Sequence, residues 1–311
     1  MIGISIIIPM YNAENTIARC LDSVLSNNIE NIEIICVNDG SSDRTSEVVK
    51  FYESCNSNIR LIEKENEGPF KARKLGIEVA TKEYIGFIDS DDWIEDTYFD
   101  DLRLAIAETN SDIIMFNYIN DYLDSPSVIS KVEIDEKIYL KESLKKEIYP
   151  LLMKDGCVNG MCNKIYKSHL CKDNNILYNH NYGEDLIYQL DIFDKAESFF
   201  ILNKNLYHYV HENIKSLSNS KQNFQLLLDM FLIRKKYASK WNIKSEFVFE
   251  PFTNLVCMCF LSSIKKLDIL EIKKILNNKN AKEAFLGTHK INTVSKKIKI
   301  IFKLLKIIYQ L

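Results

Sequence analysis

The first 120 or so residues alternate between two kinds of hydrophobic pattern. Short β-branched runs recur at 4–8 (ISIII), 32–37 (IEIICV), 58–62 (NIRLI), 84–88 (YIGFI) and 112–116 (DIIMF). Between most of them the apolar positions take helical spacing. In ENTIARCLDSVLSN, for example, Ile17, Cys20, Leu21, Val24 and Leu25 fall on one face. Strands alternating with helices predict an α/β fold: a doubly wound, mostly parallel sheet flanked by helices. Such sheets bind ligands beyond the carboxyl ends of their strands. That rule singles out three loops: PMYNAE after the first run, NDGSSD after the second and DSDDW after the fourth.

From about 125 to 220 the rhythm breaks. A polar loop leads to a helical pattern in KESLKKEIYPLLMK, then to NKIYKSHL, GEDLIYQLDIFDKA and two strand-like runs, SFFIL and LYHYV. After 221 the pattern is helical to the end, with no solenoid repeat and no low-complexity linker. The expected organisation is one α/β domain over 1–220 and an α-helical C-terminal region over 221–311. The last stretch, Lys290 to Leu311, carries six lysines and no acid, with Lys299, Lys303 and Lys306 on one helical face. That suits a basic amphipathic helix on an anionic membrane surface. It equally suits a terminal helix docked on the body, its lysines in water.

Composition narrows the class. At 311 residues and 46% hydrophobic, the chain can bury a sizeable core. A net charge of −3 gives no global attraction for nucleic acid, so no such partner is expected. The opening MIGISIIIPMYN lacks a basic leader region, and Pro9 and Asn12 interrupt it early, so no secretory leader is expected. No apolar run approaches about 18 residues, so no spanning helix is expected either. Eight cysteines without paired CxxC motifs read as reduced thiols of a cytoplasmic protein rather than a zinc site.

The loops carry the chemistry. Asp89, Asp91 and Asp92 fall within four positions at a strand end, where like charges repel unless a cation sits among them. Carboxylate oxygens suit magnesium or manganese, which commonly share a site with substrate phosphates. A solvated turn or a helix cap is the other reading. Asp39 in VNDGSSD could accept hydrogen bonds from a base or ribose, or serve turn chemistry alone. Pro9 and Tyr11 lie in the first loop, where the tyrosine could stack on a base or simply pack. No GxGxxG and no GxxxxGK[ST] occurs, which removes dinucleotide and P-loop chemistry.

Taken in order, SIIIPMYNAENTIARCLDSVL, EIICVNDGSSDRT, NEGPFKARKLGI, YIGFIDSDDWI, NKIY and GEDLIY resemble the family-two glycosyltransferases, inverting enzymes with the GT-A fold. The resemblance covers roughly residues 3–220. It implies that Asp39 binds the uracil of a nucleotide sugar, with Tyr11 stacked nearby. Asn66 and Arg73 would contact base, ribose or phosphate, although Lys74 stands where the family often has Asn. Asp91 would ligate the Mn²⁺ or Mg²⁺ ion, Asp89 would touch ribose or metal, and Asp92 would lie toward the donor sugar. Asp185 of the ED pair would be the general base, with Glu184 orienting it or binding acceptor; their other reading is a helix N-terminus that favours acids.

Weaker implications attach to YHYVHENIKSLS. His211 is a candidate third metal ligand or an ordinary loop histidine, and Lys215 and Ser216 could close over the diphosphate. Val210 stands where relatives often carry Arg. Lys164 could face acceptor or diphosphate, or stay solvated, while His169, His180 and His289 read as structural. The resulting expectation is a metal-dependent inverting transferase. It would move a sugar from a UDP-sugar, or another nucleotide sugar, to a hydroxyl of a glycan or lipid-linked acceptor in bacterial surface-polysaccharide synthesis. The rivals are a sugar nucleotidyltransferase and a non-catalytic nucleotide-sugar-binding scaffold.

Overall fold

The computed structural model describes residues 2–131, 133–154, 156–173, 184–211, 224–266, 268–288 and 295–310. Its chain divides into two compact units: Met1–Leu144 with Cys157–Lys215, and Lys145–Gly156 with Ser216–Leu311.

The first four β-branched runs become β1 (Ile4–Met10), β2 (Ile32–Asp39), β3 (Ile59–Lys64) and β4 (Tyr84–Phe87), all mutually parallel. Between them lie α1 (Ile17–Leu25), α2 (Thr45–Cys55) and α3 (Pro69–Val79). β1, β2 and β4 are buried on both faces, whereas in β3 Ile59 alone is fully buried. Ile4, Ile6, Ile8 and Met10 of β1 share a core with Ile17, Cys20, Leu21 and Val24 of α1. The opposite face meets α3, where a Cβ on Gly76 would lie 2.5 Å from Ile7 Cγ2. Only glycine lets that helix lie so close to β1. Gly68, at φ +96°, and Pro69 at the first helical position set the start of α3.

The chain continues through β5 (Trp93–Ile94), α4 (Tyr98–Thr109), β6 (Ile113–Tyr122), β7 (Ser125–Ser130) and β8 (Ile138–Leu140). Short helices follow: α5 (Lys141–Ser143), α6 (Tyr149–Lys154) and α7 (Gly156–Asn159). Then come β9 (Lys164–Lys167), α8 (Ser168–Lys172), α9 (Glu184–Lys195) and β10 (Ser198–His211). The sheet order is β3-β2-β1-β4-β9-β6-β10-β5, with β7 on β6 and β8 on β10. This is the expected α/β sheet with flanking helices, with three departures from the sequence pattern. β9 runs antiparallel between β4 and β6, so the sheet is mixed. SFFIL and LYHYV form one strand, β10, parallel to β6 and interrupted by register shifts between Leu202 and Tyr207. The polar loop after 122 contains an edge strand, β7, in a hairpin with β6; an edge tolerates its Pro126.

In the second unit, α10 (Phe224–Lys240), α11 (Glu246–Lys265), α12 (Ile269–Leu276), α13 (Lys279–Gly287) and α14 (Lys296–Gln310) form a helical cluster, as the sequence predicts. The segment 145–156, read from sequence as part of the first domain, groups with them. Tyr149 of α6 lies 4.1 Å, ring to ring, from Trp241. α11 has the length and apolar composition to cross a membrane, contrary to the expectation from sequence; half of that stretch is buried inside the unit. Phe231 of α10 stacks on Phe252 of α11 at 4.1 Å. Asp268 and Asn278 cap α12 and α13 through their side-chain oxygens.

Candidate active site

The loops after β1 and β2 are stitched together by side chains that cap backbone amides. The Asn12 amide donates to Ser41 Oγ at 2.9 Å, and the Ser42 amide to Asn12 Oδ1 at 2.9 Å. The Ala13 amide donates to Thr45 Oγ1 at 2.7 Å. Asn12 reaches this arrangement at φ +50°, a region Asn tolerates. Pro9 is buried inside β1, while Tyr11, just past the strand, is 54% exposed.

Asp39 closes β2 and organises the loop after β3. Its Oδ1 accepts from Lys64 Nζ at 2.6 Å and the Glu67 amide at 3.0 Å, and its Oδ2 accepts from the Gly68 amide at 2.7 Å. A carboxylate offers about four lone-pair sites, so one remains, on Oδ2. Asn66 is exposed and packs over Gly40, where a Cβ would come within 2.7 Å of the Asn66 amide nitrogen.

The acidic loop begins where β4 ends. The Ile88 amide makes the last sheet bond to Ile7 O, and the Asp92 amide turns back to Asp89 O at 3.0 Å. Asp89 Oδ1 accepts from Arg73 at 2.8 Å, and its Oδ2 accepts a thiol hydrogen bond from Cys162 at 3.3 Å. Asp91 is exposed, and its carbonyl accepts from Arg19. Asp92 differs from the sequence expectation: it is fully buried and bonded to β10, not turned to a donor sugar. Its Oδ2 accepts from the Tyr207 hydroxyl at 2.5 Å and its Oδ1 from the Val210 amide at 2.8 Å. Burial, with Asp89 and Asp91 adding repulsion, pushes the Asp92 carboxyl well above the usual carboxylate range.

Arg73 joins this loop to the start of α9. Its second nitrogen donates to Asp185 Oδ1 at 3.2 Å, across 112 positions of sequence. Burial raises the Asp185 carboxyl above its ordinary value. Arg73 opposes that rise, Asp89 reinforces it, and Lys164 and the Met161 amide oppose it more weakly. Lys164 is fully buried and donates to Gly160 O at 2.5 Å and Asn163 Oδ1 at 2.8 Å, so it is no solvated lysine. Asp39 thus ends β2, Asp89 and Asp91 follow β4, Asp185 lies in the first turn of α9, and Arg73 in the second turn of α3. Asp91 is the exposed carboxylate among them, with Asp89 and Asp185 half-buried; oxygen ligands of this kind suit a hard divalent cation that takes its remaining ligands from substrate phosphates.

His211 does not join them as a metal ligand. Its Nε2 bonds Asn120 Oδ1 at 2.9 Å, and its ring stacks on Tyr122 at 4.5 Å. Among the described residues, no three His, Cys, Asp or Glu side chains are grouped to hold a metal ion by themselves. The Glu184 side chain and Lys215, Ser216, His180 and His289 lie outside the described residues; His169 is exposed on α8. Sequence reasoning missed Cys162 and Tyr207, and singled out His208 in YHYVHENIKSLS without foreseeing its partners. His208 lies flat on Trp93 at 3.3 Å, its ring nitrogens 2.8 Å from Asp121 and from Glu95. The only advance signal was the clustering of aromatics in LYHYVH.

Comparison with known proteins agrees with the motifs. The sequence signature described as Glycosyl transferase family 2 matches residues 5–170. Glycosyltransferase GlyA of Streptococcus pneumoniae serotype 4 is 34% identical over 210 residues, covering 66% of this chain and 30% of GlyA. The uncharacterized glycosyltransferase EpsJ of Bacillus subtilis is 31% identical over 249 residues, covering 76% of this chain and 68% of EpsJ. This chain therefore spans under a third of GlyA. Among solved structures, S. aureus TarS 1–349 in complex with UDP-GlcNAc superposes with a TM-score of 0.70 at 19% identity, covering 99% of this chain and 88% of that one. That likeness is one of fold.

Proposed function

The chain belongs to glycosyl transferase family 2, and from that premise we propose that it moves a sugar from a UDP-sugar to an acceptor hydroxyl with inversion, assisted by Mn²⁺ or Mg²⁺. The observation that carries this reading is the Arg73 bridge. It draws the carboxylate beyond β4 and the carboxylate opening α9 into one cluster, at 2.8 and 3.2 Å.

Asp185 is the general base. Its raised pKa keeps it a competent proton acceptor, since Brønsted behaviour favours a base closer to the working pH. As the acceptor oxygen forms its bond to the anomeric carbon, its proton passes to Asp185. The bond to the diphosphate breaks on the opposite face, and the electron pair leaves with UDP. An ion held by Asp91, with Asp89 beside it, would supply charge neutralisation on that leaving diphosphate. Arg73 fixes Asp89 and Asp185 in mutual register. Asp39 receives the base N–H on its remaining lone pair, with Tyr11 as stacking surface and Pro9 and Asn66 lining the same loops.

The neighbours support the finer choices. A TarS structure holds UDP-GlcNAc and another holds UDP, which favours uridine as the base. The S. aureus relative named poly(ribitol-phosphate) beta-N-acetylglucosaminyltransferase TarS is 25% identical over 81% of this chain. A β-linked product from an α-linked donor is inversion. The acceptor is a hydroxyl of a surface polymer or its lipid-linked precursor, met at the cytoplasmic face of the membrane. α14 supports that location: Ile301, Phe302, Leu305 and Tyr309 turn inward, while Ile300, Leu304, Ile307 and Ile308 stay exposed beside Lys296, Lys299 and Lys303.

The test is a panel of nucleotide sugars incubated with the protein and Mn²⁺, reading released UDP against released pyrophosphate. Metal-dependent UDP release is expected. Pyrophosphate release would point to a nucleotidyltransferase, and binding without turnover to a scaffold.

A further inference from the structure

Tyr207 occupies a place in the site that no motif marks. It is buried on β10, yet its hydroxyl reaches the acidic loop from behind. The oxygen accepts from the Asp89 amide at 3.1 Å, and the proton goes to Asp92 Oδ2 at 2.5 Å. One hydroxyl therefore holds both ends of the DSDD turn, with Asp91 between them. Val210, three residues on, holds the other Asp92 oxygen at 2.8 Å. His208 pairs with Trp93 in the short β5–β10 ladder and lies flat on its ring. Just upstream, β10 carries extra residues against β6, the register shifts between Leu202 and Tyr207. Bulges of this kind re-aim side chains and recur beside functional sites.

We propose that Tyr207 is a positioning residue for the acidic loop: its hydroxyl sets the separation of Asp89 and Asp92 and so the aim of the Asp91 carboxylate toward a cation-bound diphosphate. The proposal rests on the transferase reading of that loop. Asp92 then has a function other than contact with the sugar. It is the buried anchor through which Tyr207 and Val210 grip the turn, and its double acceptance from β10 leaves it no part in ligation. Tyr207 touches neither substrate nor metal and acts through Asp89 and Asp92 alone.

The experiment titrates Mn²⁺ into the full chain saturated with UDP, and separately titrates uridine without metal, for wild type, Tyr207→Phe and Leu206→Ala. The phenylalanine keeps the ring in place and removes only the hydroxyl, leaving the Asp89 amide and Asp92 unpaired there. Mn²⁺ affinity is expected to weaken about tenfold in Tyr207→Phe, with uridine affinity unchanged and the donor KM rising more than kcat falls. Leu206 is a buried neighbour on the same strand. Its truncation should lower the melting temperature without weakening Mn²⁺, which separates positioning from general stability. Equal Mn²⁺ affinity in wild type and Tyr207→Phe overturns the positioning role. So does a parallel loss of uridine binding, or an equal Mn²⁺ loss in Leu206→Ala. A wild-type protein that binds UDP no better with Mn²⁺ than without it overturns the metal reading itself, a result distinct from all of these.

Discussion

Replacing Arg73 with methionine tests the catalytic assignment through its pH dependence. The guanidinium favours ionised Asp185 from 3.2 Å, and a general base must be ionised to work. Removing the charge raises the Asp185 pKa further above its already elevated position. Two unit charges 3.2 Å apart interact by about 1.3 kcal/mol at the dielectric of water and about 5 kcal/mol at an effective value near 20. The two carboxylates that Arg73 bridges are 29% and 34% exposed, so solvent screening favours the lower figure. That corresponds to about one pH unit. The assay is UDP release across pH 4.5–9 (roughly the span that brackets a raised carboxyl), with a thermal melt to confirm folding. The acid limb of the profile should move about one unit toward higher pH, on top of any uniform loss in rate. A limb that stays in place, or moves to lower pH, would refute the claim that Asp185 is the titrating base beside Arg73.

Three further outcomes are expected. Asp185→Asn should cut turnover about 100- to 10,000-fold. A carboxyl whose folded pKa is raised costs stability as pH climbs from the unfolded value through the folded one, and the deficit persists above. The same variant should therefore melt at or above the wild-type temperature at pH 7.5, with that advantage gone in acid. Asp39→Ala leaves the Glu67 and Gly68 amides without their acceptor and removes one of the two carboxylates on Lys64, which keeps Glu67 at 3.1 Å; a loss of about 2 kcal/mol by urea denaturation is expected. In the C-terminal unit, Leu304→Asp with Ile307→Asp should abolish sedimentation with phosphatidylglycerol vesicles. Wild type should bind them better than phosphatidylcholine, and less well in high salt.

How much of this was legible depended on whether the cause was local. The parallel strands announced themselves because burial on both faces of β1, β2 and β4 demands apolar, β-branched runs, and β1 to β4 sit where the runs predict. Asp89 and Asp185 stood out in the sequence because each carries its own short pattern, DSDD and ED. What brings them together, the Arg73 guanidinium, follows from α3 lying tight on β1 at Gly76, which no local pattern encodes. Asp92 was misread for the same reason. Its identity is plain in sequence, but its partners on β10 are 115 and 118 positions away. The antiparallel placement of β9 was equally hidden, since KIYK is short and pairs on both edges. His211 looked like a ligand by its position after a strand, yet Asn120 and Tyr122, the neighbours across the β6–β10 pair, engage it.

The late arrival of β9 shapes how the chain must be made. β1 to β4 can assemble soon after they leave the ribosome, but the strand that seals the outer side of β4 begins only at Lys164. At roughly 5–20 residues per second, that side keeps its peptide groups unpaired for roughly 4–15 s of synthesis, an open template for sticking to other chains. Nascent protein should lean on holdase chaperones through this window, and slowing translation between codons 90 and 160 should lower the soluble yield without altering the finished fold.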